Sequence, residues 1–356
     1  VYVIAPTCSA PVFCYGNALA AYEAKGPGIP AGFTQVDAAD APRASSASDA
    51  IGQSAIAIDG NDLIWVAWVD LANGGGVFVA TFDTHANQWS SPTLLQLENY
   101  QFAQGGEGVS LALDAAGLPH IAWNFRDSAD YVHVVYAHGL SGGGFTAPLQ
   151  LDDYTLAAGH GALHPAIAFA PDGSLVVAWL DGFGSYDSNG TIHVRTRDPS
   201  GTWSASVEIP DQAETTVDNG PSLMVTSDGV RHVAFVNYTD TARYWYSADG
   251  ITWHGDQQPP AQQTHDPSLG PDGSGGLYMY GHGTPEPTIE GTGLNLYRFH
   301  KPAGATAWGP FTQYVTGDYD CSISTRWAQF FQNYPATPDA VYWSPVAPDA
   351  LYLWVN

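Results

Sequence analysis

The chain has 356 residues, with 35 acidic against 10 basic side chains and a formal net charge of −25 at pH 7, yet only 13% of its residues are charged. Such a surface repels polyphosphate and offers little counterion release, so nucleic acid is excluded as a partner. The chain is 45% hydrophobic, but no apolar run is long enough to cross a bilayer as a helix, so no membrane partner is expected.

In chain order, the first fifty residues hold Val1–Ala5, Val12–Tyr15, the Ala-rich Asn17–Ala24 and, after a Gly/Pro turn, Phe33–Val36, all read as strands. Val1–Ala5 is either an early strand of the first unit or the strand that closes the last one. From residue 54 one phrase recurs. It reads SAIAIDGNDLIWVAW from Ser54, VSLALDAAGLPHIAW from Val109, PAIAFAPDGSLVVAW from Pro165, PSLMVTSDGVRHVAF from Pro221 and, more loosely, PSLGPDGSGGLYMY from Pro267. Each copy is a β-branched or aromatic run, an Asp- and Gly-bearing turn and a second run, which spells a hairpin. The aromatic closing the second strand is Trp68, Trp123, Trp179, Phe235 and Tyr280; another, Trp89, Phe145, Trp203, Trp253 and Trp308, opens a fourth strand.

Both series advance by about 55 residues, a period that with four short strands per unit marks a β-propeller. A blade cannot bury both faces alone, so blades pack face to face with large aromatics between them. Clear units occupy about 54–96, 109–151, 164–209, 221–258 and 266–315. The tail offers Ser322–Phe331, Ala340–Ser344 and Leu351–Val355, three strands with the fourth to come from the N-terminus. The expected fold is therefore all-β: one propeller domain over residues 1–356, with seven four-stranded blades and six as the alternative.

Cys8 and Cys14 lie close enough in sequence to bridge, Cys321 is left over, and the spacing is not that of a zinc site. A disulfide between Cys8 and Cys14, with two free thiols as the alternative, two sequons at Asn189 and Asn237, and a start at Val1 from which a signal was removed or the chain trimmed favour a secreted protein, which is also expected to be a monomer.

Tyr246-Ser247-Ala248-Asp249-Gly250-Ile251-Thr252-Trp253 resembles the Asp box of sialidase-type propellers, Ser-x-Asp-x-Gly-x-Thr-Trp, one residue short. Thr196–Trp203 is a second variant and Thr81–Trp89 a degenerate third. The physical role is local: the Asp caps backbone N–H groups of the turn while the Trp packs between blades. The Arg-Ile-Pro element of the sialidases has no counterpart, since Arg43 stands in Ala-Pro-Arg-Ala, so sialidase activity is not expected. The resemblance implies carbohydrate, an oligo- or polysaccharide, rather than a particular reaction.

In a propeller of this strand order the loops from strand two to three and from four to one share the face where ligands bind. Here those loops are long and polar, whereas the opposite loops are short turns. His164 begins an innermost strand in His160-Gly-Ala-Leu-His164-Pro165, and His265 holds nearly the same phase in His265-Asp266-Pro267. The resemblance to propeller uronate lyases implies His164, His265 or Tyr238 as the group that removes the proton beside a carboxylate, with Arg126 or Arg243 neutralising that carboxylate. His160, Glu107, Asp127, Tyr186 and His282 are the candidate substrate contacts. The competing reading has His164 and His265 hydrogen-bonded to neighbouring strands. For glycoside hydrolysis, carboxylate pairs are available among Glu107, Glu214, Asp218, Glu286 and Glu290. His160 and His164 with Asp152 or Asp153 are a candidate zinc or calcium site. His120 and His232, matched beside the buried aromatic, read as structural, and His133 and His193 are matched on third strands.

Three functions fit: a secreted polysaccharide lyase or exo-glycosidase, a sugar-binding lectin using the 12 Trp and 19 Tyr, or a protein-binding propeller. A multivalent lectin should repeat its binding residues in every blade. These loops differ, which favours one axial site.

Overall fold

In the computed structural model, residues 2–7, 18–23, 34–35, 51–70, 76–97, 108–127, 131–152, 161–183, 190–209, 220–236, 242–255, 265–283, 295–310, 312–315, 338–343 and 351–355 are described. Every regular element among them is a strand.

The first sheet joins β1 (Tyr2–Thr7), β2 (Ala18–Glu23) and β3 (Thr34–Gln35) in that order. The Ala-rich stretch is thus a strand, and β1 pairs with β2 rather than with the tail. The next sheet contains β4 (Ile51–Ile58), β5 (Leu63–Asp70), β6 (Gly76–Asp83), β7 (Gln88–Trp89) and β8 (Thr93–Leu97). Then come β9 (Val109–Leu113), β10 (Pro119–Arg126), β11 (Val132–His138) and β12 (Leu149–Gln150), followed by β13 (Gly161–Phe169), β14 (Leu175–Phe183), β15 (Thr191–Arg197) and β16 (Val207–Glu208). These two groups merge into one eight-stranded sheet through a single parallel pairing, Val132 with Gly161. Two four-stranded sheets follow: β17 (Ser222–Val225), β18 (Arg231–Val236), β19 (Ala242–Ser247) and β20 (His254–Gly255), then β21 (His265–Pro271), β22 (Leu277–Gly283), β23 (Asn295–Lys301) and β24 (Thr312–Val315). The tail forms a hairpin of β25 (Pro338–Trp343) and β26 (Leu351–Val355). The stretch Ser322–Phe331 lies outside the described residues.

The alternation of the sequence explains the packing. Trp68, Trp123, Trp179, Phe235 and Tyr280, at one level of five second strands, are all at most 1% exposed. Most of the apolar clusters join the strands of one unit to those of the next. One holds Val134, Tyr136 and Ala122 against Ile167, Val177 and Trp179; another holds Tyr244 and Met224 against Met279, Phe299 and Trp308. The later aromatics act as keys here. Trp203 meets Tyr136 edge-on at 5.1 Å and Trp308 meets Tyr244 at 5.2 Å, each reaching back to the preceding unit.

The first strands β4, β9, β13, β17 and β21 adjoin one another in chain order. Serine hydroxyls link them: Ser110 Oγ accepts from Ile167 N–H at 3.2 Å and Ser222 Oγ from Leu269 N–H at 2.9 Å, each in the following unit. The fourth strands open later than the aromatics predict and are mostly two residues long, which leaves little unpaired edge outside.

One end of the strands is closed by turns that satisfy themselves. Asp249 Oδ1 accepts from Ile251 N–H at 2.8 Å and Thr252 N–H at 2.7 Å, and Gly250 takes the left-handed φ of 75° that the turn needs. Asp83 binds the same way, Asp198 accepts from Thr202 N–H and the Ser200 hydroxyl, and Asp59, Asp114 and Asp272 cap the first hairpins. Those backbone bonds hold the carboxyls of Asp83 and Asp249 below the ordinary range; for Asp198 the Ser200 hydroxyl is the larger cause.

Candidate functional site

The opposite ends of the strands carry a second set of ionisable side chains. β13 is interrupted by a bulge between Leu163 and Ala166, and His164 sits in it with a left-handed φ of 51°. A non-glycine residue in that region is strained, and such strain concentrates at functional positions. His164 is 5% exposed. Its N–H donates to Asn124 Oδ1 at 3.0 Å, and Asn124 N–H donates to Gly108 O at 3.0 Å. Asn124 belongs to β10, so the contact crosses units.

Glycines make the room. A Cβ on Gly108 would lie 2.9 Å from His164 Cα, and one on Gly220 would fall against His164 Cβ, 3.1 Å from its carbonyl oxygen. His164 is therefore wedged between the starts of the two neighbouring first strands.

Two residues beyond Asn124, at the end of β10, stands Arg126, paired in register with Val132, and Asp127 follows it; both are half-buried. Asp127 N–H donates to Tyr131 O at 2.8 Å and Asp127 Oδ1 accepts from Tyr131 N–H at 2.9 Å, which closes the turn into β11. The other oxygen, Oδ2, lies 3.6 Å from His133 Nε2. On its far side His133 Nδ1 is 2.8 Å from Asp152 Oδ2. Asp152 also accepts from Val134 N–H at 2.9 Å and from Gln150 Nε2 at 3.0 Å. A carboxylate, an imidazole and a second carboxylate thus run inward from the loop end. Sequence reading paired His133 with His193, but among the described residues the ring nitrogens of His193 lie against hydroxyls, Ser206 Oγ at 2.9 Å and Thr191 Oγ1 at 3.1 Å, and its ring stacks on Trp179. Aspartates stand in the loops that flank His133 in its own unit, but they also stand around His193, at Asp187 and Asp211, so spacing alone does not separate the two.

The other candidates are distributed as follows. Arg243 lies on β19 opposite Phe235, half-buried, in a different unit from Arg126. His265 and His282 face each other in register on β21 and β22, with only their backbones described. Glu107, His160, Tyr186 and Tyr238 lie outside the described residues, as do Asp153, Glu214, Asp218, Glu286 and Glu290. Asp152, a proposed metal ligand, is engaged by His133, Val134 and Gln150, and among the described residues no group of three or more His, Cys, Asp or Glu is arranged to hold a metal.

His120 and His232 lie at the turn end. His120 Nδ1 is 2.7 Å from Tyr136 Oη, and His232 Nδ1 is 2.6 Å from Tyr244 Oη. Burial pushes both imidazoles down to about 4, and burial likewise raises the Tyr136 phenol above its ordinary range. Both histidines are structural, in keeping with their positions beside the buried aromatics.

No family model matches this sequence, and no curated protein matches it. Solved structures do resemble it. A Hadza microbial sialidase is 13% identical with a TM-score of 0.53, over 85% of this chain and 67% of that one. An α-L-arabinofuranosidase from Fusarium graminearum, solved with an iminosugar inhibitor, is 13% identical with a TM-score of 0.52, over 76% of this chain and 81% of that one. At these identities the likeness is one of fold, and that fold is propeller-like.

Proposed function

We propose that the chain is a secreted, monomeric β-propeller of seven four-stranded blades, with Asp-box turns on one face, that cleaves a glycan at a single site on the other. The observation that carries this reading is the separation of chemistry between the strand ends. Self-capped aspartate turns occupy one end, while Asn124, Arg126, Asp127, His133, Asp152 and His164 gather at the other, on two adjoining units. The two similar structures bear the names of glycosidases, which supports a carbohydrate substrate for this fold.

As a lyase, His164, His265 or Tyr238 removes the proton beside the uronate carboxylate and Arg126 or Arg243 neutralises it, with His160, Glu107, Asp127, Tyr186 and His282 around the sugar. As a hydrolase, a carboxylate pair replaces that base. The test is incubation with plant, algal and microbial polysaccharides, following reducing ends and the ultraviolet absorbance of unsaturated uronates. New ends with absorbance identify a lyase, and new ends alone a hydrolase. In either case His164→Ala is expected to abolish cleavage, and full activity in that variant removes His164 from the account. No cleavage, with retention on a glycan array, would replace the enzyme with a lectin.

A further inference from the structure

At two positions of the repeat, neighbouring units break the pattern, and the two breaks meet. Directly before the recurring phrase the five units carry Gln53, Gly108, His164, Gly220 and Asp266. Directly after the closing aromatic they carry Val69, Asn124, Leu180, Val236 and Gly281. The one imidazole of the first series is hydrogen-bonded to the one polar side chain of the second, across adjoining units. We propose that Asn124 is a positioning residue for the cleavage site, one that holds the backbone of His164 so that its imidazole keeps a fixed place; the assignment rests on the glycan-cleaving reading.

The backbone creates the need for this bond. His164 and Pro165 fall in the gap of the β13 ladder between Leu163 and Ala166, and the left-handed φ of 51° turns the His164 N–H out of it. A buried N–H requires an acceptor, and Asn124 Oδ1 supplies one at 3.0 Å. The contact is enclosed, with Asn124 2% and His164 5% exposed. Asn124 is in turn anchored in its own unit, since its N–H donates to Gly108 O at 3.0 Å. From the other side the ring is confined, because a Cβ on Gly220 would lie 3.0 Å from His164 Cγ. The unit before thus fixes the backbone of His164, and the unit after fixes its ring.

Strand parity ties this contact to the candidate site. Side chains alternate along β10. Ala122 lies in the apolar cluster shared with the third unit, whereas Phe125 packs on the cluster shared with the first. Asn124 and Arg126 have the parity of Ala122, so both project toward the third unit, with Arg126 one step nearer the loop end. Arg126 and His164 therefore belong to the two walls of one seam, and Asn124 bridges those walls. A purely structural account has Asn124 satisfy a spare N–H and nothing more. The two accounts differ when the acceptor is removed and the fold survives: positioning requires a loss of turnover per folded molecule, because small displacements of a reacting group are costly.

The test uses Asn124→Leu, which is close to the amide in shape and copies Leu180 of the third unit, beside Asn124→Asp, which keeps the acceptor oxygen. Amide hydrogen exchange at His164, followed by nuclear magnetic resonance on the full chain, is expected to quicken at least about tenfold in Asn124→Leu and to stay near wild type in Asn124→Asp. Unchanged exchange in Asn124→Leu overturns the hold on His164, whatever the activity. On a glycan that the panel finds cleaved, Asn124→Leu is expected to lower kcat per folded molecule about 10²-fold with KM nearly unchanged, and Asn124→Asp to recover most of that loss. Faster exchange with full kcat in Asn124→Leu, or wild-type exchange with lost kcat in Asn124→Asp, overturns the positioning role. If Asn124→Leu does not fold, Asn124→Ser, whose shorter side chain withdraws the acceptor, takes its place with the same expectations. Faster exchange in a protein that cleaves no glycan overturns the glycan-cleaving reading and upholds the hold of Asn124 on His164.

Discussion

His164 keeps φ at 51° with its N–H on Asn124, and the neighbouring strands meet it with glycine on both sides. Each feature depends on the others. The left-handed backbone turns the side chain out of the β13 ladder, and the bulge supplies the extra residue that permits it. The ring then fills the space that a side chain at 220 would need. Gly220→Ala sets its Cβ 3.0 Å from His164 Cγ and against His164 Cβ, and neither backbone is free to yield. The expected cost is about 1–3 kcal/mol, seen as a lower midpoint in urea. Gly142→Ala, whose Cβ meets nothing within 4 Å, is the control and should leave the midpoint nearly unchanged. Equal midpoints for the two variants would mean that His164 is not wedged.

At the scale of strands, the histidine–tyrosine pairs recur with the same offset. His120 on β10 reaches Tyr136, the register partner of Ala122, and His232 on β18 reaches Tyr244, the register partner of Ala234. The tyrosine is in turn fixed by a tryptophan from the next unit, so the buried imidazole sits inside the contact between sheets. This has a consequence for pH. The folded imidazoles titrate at about 4 instead of 6.5, so the unfolded chain binds protons first as pH falls. Their stabilising contribution is whole above about pH 6.5 and declines as pH falls toward 4. Between pH 6.5 and 5 each histidine is expected to remove about 2 kcal/mol of unfolding free energy. The turn aspartates extend the loss below about pH 4, because their folded carboxyls are held low and the unfolded ones protonate first. Urea unfolding at pH 7, 6 and 5 measures this, and His232→Gln should flatten the decline by about one proton. Stability that does not change from pH 7 to 5 would exclude neutral, buried histidines.

For the molecule as a whole, the net charge of −25 sets the surface, while several of the described cations are held by carbonyl groups and aromatic rings. Arg195 crosses to the carbonyl of Leu151, Arg231 donates to Ala248 O at 3.1 Å, and Lys301 lies over the rings of Tyr244 and Tyr246 at 5.0 and 5.6 Å. Cations used in this way leave the acidic groups to repel one another across the surface. Raising sodium chloride from about 10 mM to about 0.5 M is therefore expected to raise the Tm, since the screening length shrinks below the spacing of surface charges. A falling Tm would show that attractive surface pairs outweigh the repulsion.

The repeat, the hairpins and the buried aromatics were legible in the sequence because each depends on neighbours in the chain. Alternation has a period of two, an Asp-Gly turn is a local structure, and Trp68 or Trp179 is marked by its own strand. The site was legible only as a face. His164 lies between Gly108 and Gly220, and Asp127 reaches Asp152 through His133, by contacts that depend on strand register and on which sheet lies beside which. Sequence alone placed His133 with His193 as an equivalent, since both begin third strands. What separated them was tertiary: the carboxylates on the flanking loops of one unit converge on His133, while hydroxyls meet His193 in the next. Local chain chemistry thus determined the sheets, and the packing of sheets decided which ionisable groups meet.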